Sequence, residues 1–426
     1  MRMTRKLDIA PLAALLALLA AAPPARAQAP ADVPPERPAA EPATKEEVKA
    51  LAEEVRRLKL ELGLADVAYA QYAGMGPAAS KVYFAPKGLS LGGYGEVNYV
   101  NTLDDRTDSS DLYRVVLYTG YRFNDWIVFN AEVEYEHHSE LAVEFAYLDF
   151  LFRDEVALRV GNVLVPMGFT NLVHEPPFFN GTFRPEVERR IIPTTWNENG
   201  LGVHGKLPAL GLSYQAYALV GLNATNGALS STSWLRNART GGGEAPAEDL
   251  AAVAALAWEA GPYAVGVSAY RGGAGQGVRD ADGRIDATVT LVEAHAKVAW
   301  RGLEARGLYT RGSVSDAARL SALSGGEVIG SEVSGFYLEA SYDLLGRLAP
   351  ASGQALAPFV RFESLDLNAK VPGGLVADPE ATYGFLTAGL TYRPIPTVVV
   401  KADYSRKDTD GSAPEDQVNL GVGFVF

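Results

Sequence analysis

Apolar and polar residues alternate along most of the chain from Leu89 onward. Residues 127–136 read IVFNAEVEYE, and the last ten residues, 417–426, read QVNLGVGFVF. A β-strand places alternate side chains on opposite faces, so each such stretch predicts a strand with one apolar face. Sixteen stretches of this kind predict strands at 89–100, 110–123, 126–137, 141–152, 155–165, 199–206, 211–221, 250–259, 262–271, 285–300, 302–312, 332–344, 355–366, 382–393, 396–406 and 416–426.

The connections between the predicted strands fall into two classes. Those after even-numbered strands are short, except for the one around 345–354. Those after odd-numbered strands are mostly long and polar or glycine-rich, notably 166–198, 222–249, 313–331 and 367–381. Outer-membrane barrels have short periplasmic turns and long external loops, whereas a soluble β-sandwich has no reason to sort its connections. The sequence therefore predicts an all-β transmembrane protein, an antiparallel outer-membrane β-barrel of about 16 strands at 88–426.

The first 87 residues do not share this alternation. Residues 1–27 combine a basic start, a short apolar stretch and Ala25-Arg26-Ala27, the pattern of a cleaved signal peptide. The alternative, a membrane anchor, needs a longer apolar run. Residues 28–43 are rich in Pro and Ala and predict a linker. Residues 67–87 are expected to connect this N-terminal part to the barrel.

Residues 44–66 predict a short periplasmic coiled-coil helix. Thr44-Lys-Glu-Glu47 is a capping box, and apolar residues then follow at alternating spacings of three and four. A helix this short is not stable alone, and three such helices in an oligomer would stabilise one another. Packing of one amphipathic helix on its own barrel is the alternative.

Composition excludes several classes of protein. The chain has no cysteine, which rules out disulfides and thiolate metal sites or nucleophiles. Its net charge is −13, and the signal segment has more basic than acidic residues, so the exported chain is still more acidic. Because nucleic-acid binding needs an excess of Lys and Arg, no nucleic-acid partner is expected. No motif indicates a cofactor or a metal, and outer-membrane lipid is the expected environment.

A barrel of sixteen strands encloses a lumen too wide for side chains to fill, so water is expected to occupy it. A charged residue that faces lipid near mid-depth costs about 2–4 kcal/mol, so the charged positions of the strands are expected to face inward. The predicted pore-lining residues are Glu96, Arg114, Glu132, Glu134, Glu136, Arg159, Glu293, Lys297, Arg361, Glu363, Lys401 and Asp403.

The loop at 166–198 is the candidate for a pore constriction. It is long, and its frequent prolines and aromatic residues are not typical of a disordered segment. Folded inward, it would narrow the pore and set ion preference with its charges. Folded outward, it would form an external lid. The charged residues expected at the constriction are His174, Glu175, Arg184, Glu186, Glu188, Arg189 and Arg190.

Several short motifs resemble those of the phosphate-selective O/P-type porin family. They are Arg159-Val-Gly-Asn162, Pro166-Met-Gly168, the run from Trp196 to Gly205, Pro358-Phe-Val-Arg361-Phe-Glu363 and the terminal Phe426. The resemblance covers about 85–426. It implies a homotrimeric, sixteen-stranded channel for passive diffusion whose third external loop folds into the pore. Anion selectivity in that family depends on luminal arginines and lysines, whereas acidic residues match or outnumber basic ones here, so the preferred solute stays open.

The last strand ends on Phe424 and Phe426, the aromatic pattern expected to contact the barrel-assembly machinery.

Two other functions compete with a porin. Residues 136–140 read EHHSE at the tip of the third predicted strand. Adjacent residues of a strand point in opposite directions, whereas a catalytic triad must converge, so an enzyme is not expected, and a hydrolase or a rim metal site is the lesser reading. A tether that binds peptidoglycan through 28–66 is the other alternative, and it is compatible with conduction.

Overall fold

The structure is a computed structural model that describes residues 46, 71–103, 108–137 and 139–426. The predictions for the signal peptide, the linker and the coiled-coil helix fall almost entirely outside the described residues. Apart from Glu46, the described residues belong to one unit, Val67–Phe426. In this part of the chain, no helix has the length and apolar character needed to cross a membrane.

The described residues form eighteen β-strands and four α-helices. The strands are β1 (Gly88–Thr102), β2 (Asp108–Arg122), β3 (Ile127–Glu136), β4 (Glu140–Arg153), β5 (Val156–Leu164), β6 (Asn197–Leu207), β7 (Leu212–Val220), β8 (Leu250–Ala260), β9 (Tyr263–Gly273), β10 (Arg279–Asp280), β11 (Gly283–Arg284), β12 (Thr288–Trp300), β13 (Leu303–Val314), β14 (Glu332–Tyr342), β15 (Ala355–Lys370), β16 (Thr382–Ile395), β17 (Val398–Thr409) and β18 (Glu415–Val425). The helices are α1 (Pro77–Phe84), α2 (Glu186–Arg190), α3 (Ala317–Leu323) and α4 (Leu344–Leu348).

Sixteen of the described strands close into one antiparallel barrel. Each strand pairs with its neighbours along the chain, and β1 pairs with β18 to complete the ring. The short strands β10 and β11 form a separate hairpin between β9 and β12. The predicted fold class is confirmed, and the predicted strands differ from the observed ones by only a few residues at their ends.

Alternation along each strand separates an apolar outer face from a more polar inner face. Leu141 and Leu338 on the outer face are 63% and 60% exposed, whereas Tyr147 and Tyr337 on the inner face are buried. Aromatic side chains such as Trp126, Tyr263 and Trp300 are exposed near the short turns. An outward apolar band with an aromatic girdle is the surface that an outer-membrane barrel presents to lipid.

Two parts of the chain pack inside the barrel. One is α1, and the other is the infolded loop, residues 165–196, which joins β5 to β6 and contains α2. Glycines in the wall allow both to approach closely. A Cβ atom added at Gly120 would lie 2.5 Å from Cβ of Val82 in α1, and one added at Gly423 would lie 2.4 Å from Cβ of Pro176 in the infolded loop. Glycine in a strand often marks such an approach by another backbone.

The infolded loop also caps α1. Backbone N–H groups at the first turn of a helix lack partners within the helix and need an external acceptor. Glu175 supplies it, because its Oε1 accepts hydrogen bonds from the backbone N atoms of Ala78 and Ala79 at 3.0 and 3.3 Å. The sequence assigned this region only to a connector, since the helix is short and its cap lies almost a hundred residues away.

Candidate functional site in the barrel lumen

The infolded loop crosses the lumen and contacts the wall on several sides. The backbone N of Gly168 donates to Glu293 on β12 at 3.3 Å, and that of Thr182 donates to Asp403 on β17 at 2.7 Å. Nε2 of His174 lies 3.1 Å from Glu132 Oε1 on β3. The prediction that this loop folds inward is therefore confirmed, and the external-lid alternative is wrong.

Buried carboxylate and amide groups hold the loop in one conformation. Glu188 Oε2 accepts hydrogen bonds from the backbone N and the Oγ1 of Thr170 at 2.7 and 2.9 Å. Its Oε1 accepts one from the hydroxyl of Tyr337 on β14 at 2.7 Å. Asn171 joins the two ends of the loop, because it accepts from the backbone N of Trp196 at 2.7 Å and donates to the carbonyl of Val165 at 2.6 Å.

The helix α2 carries a compact charge network on the loop. Nη2 of Arg189 and Nε of Arg190 both lie 2.7 Å from Glu186 Oε2. Burial alone would raise the pKa of Glu186, but the two guanidinium groups outweigh it and lower that pKa to about 2. Glu186 therefore stays ionised over the ordinary pH range.

A second long loop, residues 221–249, folds over the infolded loop from the same end of the barrel. Nη1 of Arg236 donates to the carbonyl of Arg189 at 2.8 Å, and Nη1 of Arg239 donates to that of Thr195 at 2.6 Å. In return, Nη1 of Arg190 donates to the carbonyl of Thr232 at 2.7 Å. Sequence reasoning missed this role, and the arginines within a long loop are the signal that could have suggested it.

The twelve predicted pore-lining residues have very different exposures. Glu136 and Lys297 have side chains that are 31% and 39% exposed. The other ten are at most 4% exposed: Glu96, Arg114, Glu132, Glu134, Arg159, Glu293, Arg361, Glu363, Lys401 and Asp403. Protein groups cover most of these side chains, and their contact with a water-filled path stays a prediction.

On β4 and β5, a dry ion pair is enclosed by α1. Arg159 donates from Nε and Nη2 to the two carboxylate oxygens of Asp149, both at 2.8 Å. The hydroxyl of Tyr83, in α1, donates to Asp149 Oδ2 at 2.6 Å. The guanidinium of Arg159 also lies 3.9 Å from the ring centroid of Tyr147. Two well-placed donors and an aromatic face satisfy a buried charge that would otherwise be costly.

On the opposite wall, β13 to β15 carry a linked set of charges beneath the infolded loop. Arg306 and Arg361 both pair with Glu339, at 2.9 and 3.2 Å. Arg361 also pairs with Glu363 at 2.9 Å and donates to the carbonyl of Phe183 in the loop at 3.1 Å. Farther along this wall, Lys401 Nζ lies 3.5 Å from the ring centroid of Phe179 in the loop.

Four inward residues were not predicted from the sequence, and they fall into two groups. Asp149, Arg306 and Glu339 follow the same alternation as the predicted set and could have been found from it. Glu144 could not, because β4 contains a β-bulge. Glu132 pairs with Phe145 and Val133 with Val143, so Glu144 has no partner across the ladder and breaks the alternation.

The rim segment at 136–140 does not gather its side chains into one site. Nη2 of Arg114 lies 3.2 Å from Glu136 Oε1. Nδ1 of the next residue, His137, instead lies 2.5 Å from Asp111 Oδ2. His138 lies outside the described residues. The described part of this segment therefore has two separate pairs, as expected for adjacent positions near a strand end.

Two cavities lie on opposite sides of the infolded loop. The turn-side cavity, near the short turns, has a volume of about 970 Å³. Its charged lining consists of Lys206, Glu259, Glu293, His295, Lys297, Glu304, Arg306 and Arg393. The loop-side cavity, between α2 and β15 to β18, has a volume of about 190 Å³. Its charged lining consists of Arg184, Glu186, Arg189, Arg190, Arg361, Glu363, Asp403, Lys407 and Glu415.

A closed sixteen-stranded barrel crossed by an infolded loop defines a porin-type barrel, and solved structures agree. The chain is similar to OmpF of Salmonella typhi, solved with Daunomycin, with 17% identity and a TM-score of 0.53 over 79% of this chain and 97% of that one. It is similar to the outer membrane channel DcaP of Acinetobacter baumannii, with 14% identity and a TM-score of 0.51 over 79% and 97%. It is also similar to a loop L8 deletion mutant of OmpT of Vibrio cholerae, with 11% identity and a TM-score of 0.52 over 79% of this chain and 99% of that one. At these identities the likeness shows the fold, that of an outer-membrane barrel.

Sequence comparison adds a family. No family model matches the chain. An uncharacterized protein of Aquifex aeolicus (strain VF5) is 37% identical over 389 residues, which cover 87% of each chain. The chain therefore belongs to the same family as this Aquifex aeolicus protein.

Proposed function

We propose that this protein is an outer-membrane porin through which small hydrophilic solutes and ions diffuse passively. The observation that carries the proposal is the infolded loop, which crosses a closed barrel between two cavities and contacts β3, β12 and β17. A loop in this position restricts the cross-section available to a solute. The similarity in fold to outer-membrane channels supports the same function.

The charges around both cavities favour a general pore. The turn-side cavity has four Lys or Arg side chains and three Glu side chains, and the loop-side cavity has five basic and four acidic ones. Most of the loop-side charges are already paired with one another. Arg184 differs, because within the described residues its guanidinium donates only to the carbonyl of His174, at 3.4 Å. We infer weak selectivity, with Arg184 as a source of modest anion preference.

The relationship to phosphate-selective O/P-type porins is proposed for the barrel and its infolded loop, without their phosphate selectivity. Arg159, which belongs to the resembling motif, is fully occupied by Asp149 and is buried. Another motif residue, Trp196, donates from Nε1 to Glu198 at 3.1 Å and helps to close the loop. These contacts support a structural role for the shared motifs.

The proposal includes partners that fit a porin. Phe424 and Phe426 are 41% and 48% exposed, which suits contact with lipid or with the barrel-assembly machinery. The homotrimer, the cleaved signal peptide and the coiled coil or peptidoglycan tether at 28–66 remain predictions from the sequence. No catalytic activity is expected.

Single-channel recording in planar bilayers tests the proposal. The exported chain, residues 28–426, is expected to give stable ohmic channels. Deletion of 172–192 removes the part of the loop that crosses the lumen, and we expect conductance to rise roughly twofold or more. Deletion of 372–377, a segment between β15 and β16, is the matched control and should leave conductance unchanged.

Folding of both deletion variants is checked by heat-dependent mobility in gel electrophoresis. A folded wild-type barrel without channel activity would contradict the proposed function. A folded 172–192 deletion variant with wild-type conductance would show that this loop does not restrict the pore.

A further inference from the structure

A second kind of site lies where the infolded loop meets the barrel wall. Glu132 on β3, Glu144 on β4 and His174 on the loop each offer a ligand atom, and these atoms all lie within 4.8 Å of one another. All three side chains are buried, with exposures of 0%, 7% and 2%. The cluster therefore joins three separate elements in a region that bulk water does not reach.

The backbone of β4 is built irregularly to bring Glu144 into this cluster. Residues 143 and 145 pair with neighbouring positions of β3, and Glu144 is the extra residue of a β-bulge between them. In a regular strand, Glu144 would point away from its neighbour Phe145, toward lipid. Bulges are frequent next to functional sites because they redirect one side chain. Here the redirected side chain is a carboxylate.

The imidazole of His174 is oriented as a ligand. Its Nδ1 lies 3.1 Å from the carbonyl oxygen of Asn171, which only accepts hydrogen bonds, so Nδ1 carries a proton. Nε2 is the ring nitrogen that faces Glu132 Oε1, at 3.1 Å, and in the Nδ1–H tautomer it presents a lone pair to that oxygen. Two acceptors at this separation repel unless a proton or a metal ion lies between them. Metal-binding histidines commonly fix their second nitrogen on a backbone carbonyl in this way.

The carboxylate oxygens have unused capacity. Glu132 Oε2 and Glu144 Oε2 are buried, and neither oxygen has a hydrogen-bond partner among the described residues. The side chain of Glu144 as a whole also interacts with those of Glu134 and Thr195. An unpartnered buried carboxylate oxygen is costly, and a bound cation is one way to satisfy it. Both oxygens belong to the residues whose ligand atoms converge.

The neighbouring cations are engaged elsewhere. Arg114 lies 3.0, 2.8 and 3.2 Å from carboxylate oxygens of Glu96, Glu134 and Glu136, so one positive charge serves three carboxylates. Arg239, which is also near Glu144, donates to the backbone carbonyls of Pro193, Thr195 and Arg236. The charges of Glu132 and Glu144 together equal that of one divalent cation.

We propose that Glu132, Glu144 and His174 bind one divalent transition-metal ion, which fastens the infolded loop to the barrel wall. Two carboxylates and one imidazole suit Zn²⁺ and similar ions, whereas Ca²⁺ and Mg²⁺ prefer sites made of oxygen alone. In a tetrahedral site with ligands at about 2.0–2.2 Å from Zn²⁺, the ligand atoms lie about 3.3–3.6 Å apart. The three ligand atoms here already lie within 4.8 Å of one another, so side-chain adjustments of about 1 Å would complete the site. The ion would bridge β3, β4 and the loop.

Metal binding to the folded full-length barrel tests the proposal directly. Protein refolded in chelator is dialysed and titrated with Zn²⁺, and with Co²⁺, whose visible absorption reports nitrogen and oxygen ligands. One equivalent is expected to bind, while Ca²⁺ does not compete. His174→Gln and Glu132→Gln should each weaken Zn²⁺ binding by at least about tenfold. His295→Gln is the matched control, because His295 pairs with the single carboxylate of Glu293 at 2.9 Å, and it should bind as wild type.

Urea unfolding of Glu144→Gln with and without Zn²⁺ provides a second measurement, which stays informative if the other variants do not fold. The urea midpoint of this variant is measured without metal first, so that the effect of Zn²⁺ is a difference within each protein and does not depend on the cost of the substitution. Zn²⁺ should raise the midpoint of wild type and leave that of Glu144→Gln unchanged. The proposal is overturned if wild type binds no stoichiometric Zn²⁺, which would mean that a proton alone separates His174 and Glu132. It is equally overturned if binding persists in the His174→Gln and Glu144→Gln variants.

Discussion

Arg159 on β5 and Lys297 on β12 lie on different walls of the barrel. One is buried in protein and the other is exposed. Both project inward, and both pair with a glutamate or aspartate on a neighbouring strand. Arg159 lies 2.8 Å from Asp149, with side chains that are 1% and 0% exposed. Lys297 lies 3.2 Å from Glu304, with side chains that are 39% and 35% exposed. One pair belongs to a dry core and the other to the turn-side cavity.

The difference comes from what packs against each wall. α1 packs against the inner faces of β1 to β3, and its Tyr83 donates to Asp149 on β4. Lys297 and Glu304 line the turn-side cavity instead. An inward charged residue of a barrel is therefore a pore residue only where the chain leaves the lumen open. Strand periodicity determines the direction of a side chain and does not determine its contact with water.

The largest effect on stability is expected for the buried ion pair of Arg159 and Asp149. Arg159→Met leaves the buried carboxyl group of Asp149 without its guanidinium partner and, among the described residues, with hydrogen bonds to Tyr83 and His204. Loss of one partner from a buried ion pair costs about 3–5 kcal/mol, so the free energy of unfolding should fall by that amount. Urea unfolding of the folded barrel, followed by tryptophan fluorescence, measures it. The reversal potential should not change, and a shift toward cations would mean that Arg159 faces the ion path.

An intermediate effect is expected at Glu186, whose side chain is 15% exposed. Arg189 and Arg190 stabilise the carboxylate and lower its pKa from the ordinary value of 4.5 to about 2 in the folded chain. A lowered pKa contributes stability above pH 4.5, and this contribution is lost as the pH falls toward 2. The shift corresponds to about 3 kcal/mol before solvent screening of the partly exposed side chain is taken into account.

Comparison with Glu186→Gln isolates this contribution, since other carboxylates titrate equally in both proteins. The stability difference between wild type and Glu186→Gln should be constant from pH 6 to 8 and shrink between about pH 4.5 and 2. A difference that does not depend on pH in that window would show that the charge of Glu186 does not hold α2.

The smallest effect on stability is expected on the open wall. Lys297→Met removes an exposed ion pair, which is worth about 1 kcal/mol or less. It also removes a positive charge from the turn-side cavity, so the reversal potential should shift slightly toward cations. The shift is small because salt screens charges beyond about 8–10 Å in a wide lumen. A loss of stability as large as that of Arg159→Met would remove the distinction between the two walls.

Prediction from sequence succeeded for the strands and for the inward fold of the long loop. It failed for α1 and for most contacts inside the barrel. The stretch 127–136 has a strict period of two, and it forms β3 within one residue of the predicted bounds. α1 was missed because an eight-residue helix has little periodicity and its cap, Glu175, is distant in sequence. Glu144 was missed because a bulge reverses its side. The inward fold of the 165–196 loop was foreseen from its length and composition, but its partners on β12, β14 and β17 were not.

The sequence by itself determined the barrel. The alternation of apolar and polar residues and the sorting of short turns and long loops are local features of the sequence. These features suffice to pair strands that are adjacent along the chain. Tertiary structure decided which inward charges meet water, which lie under α1 or the infolded loop, and which converge at Glu132, Glu144 and His174. These outcomes depend on contacts between segments far apart in the chain, and such contacts leave no periodic trace in the sequence.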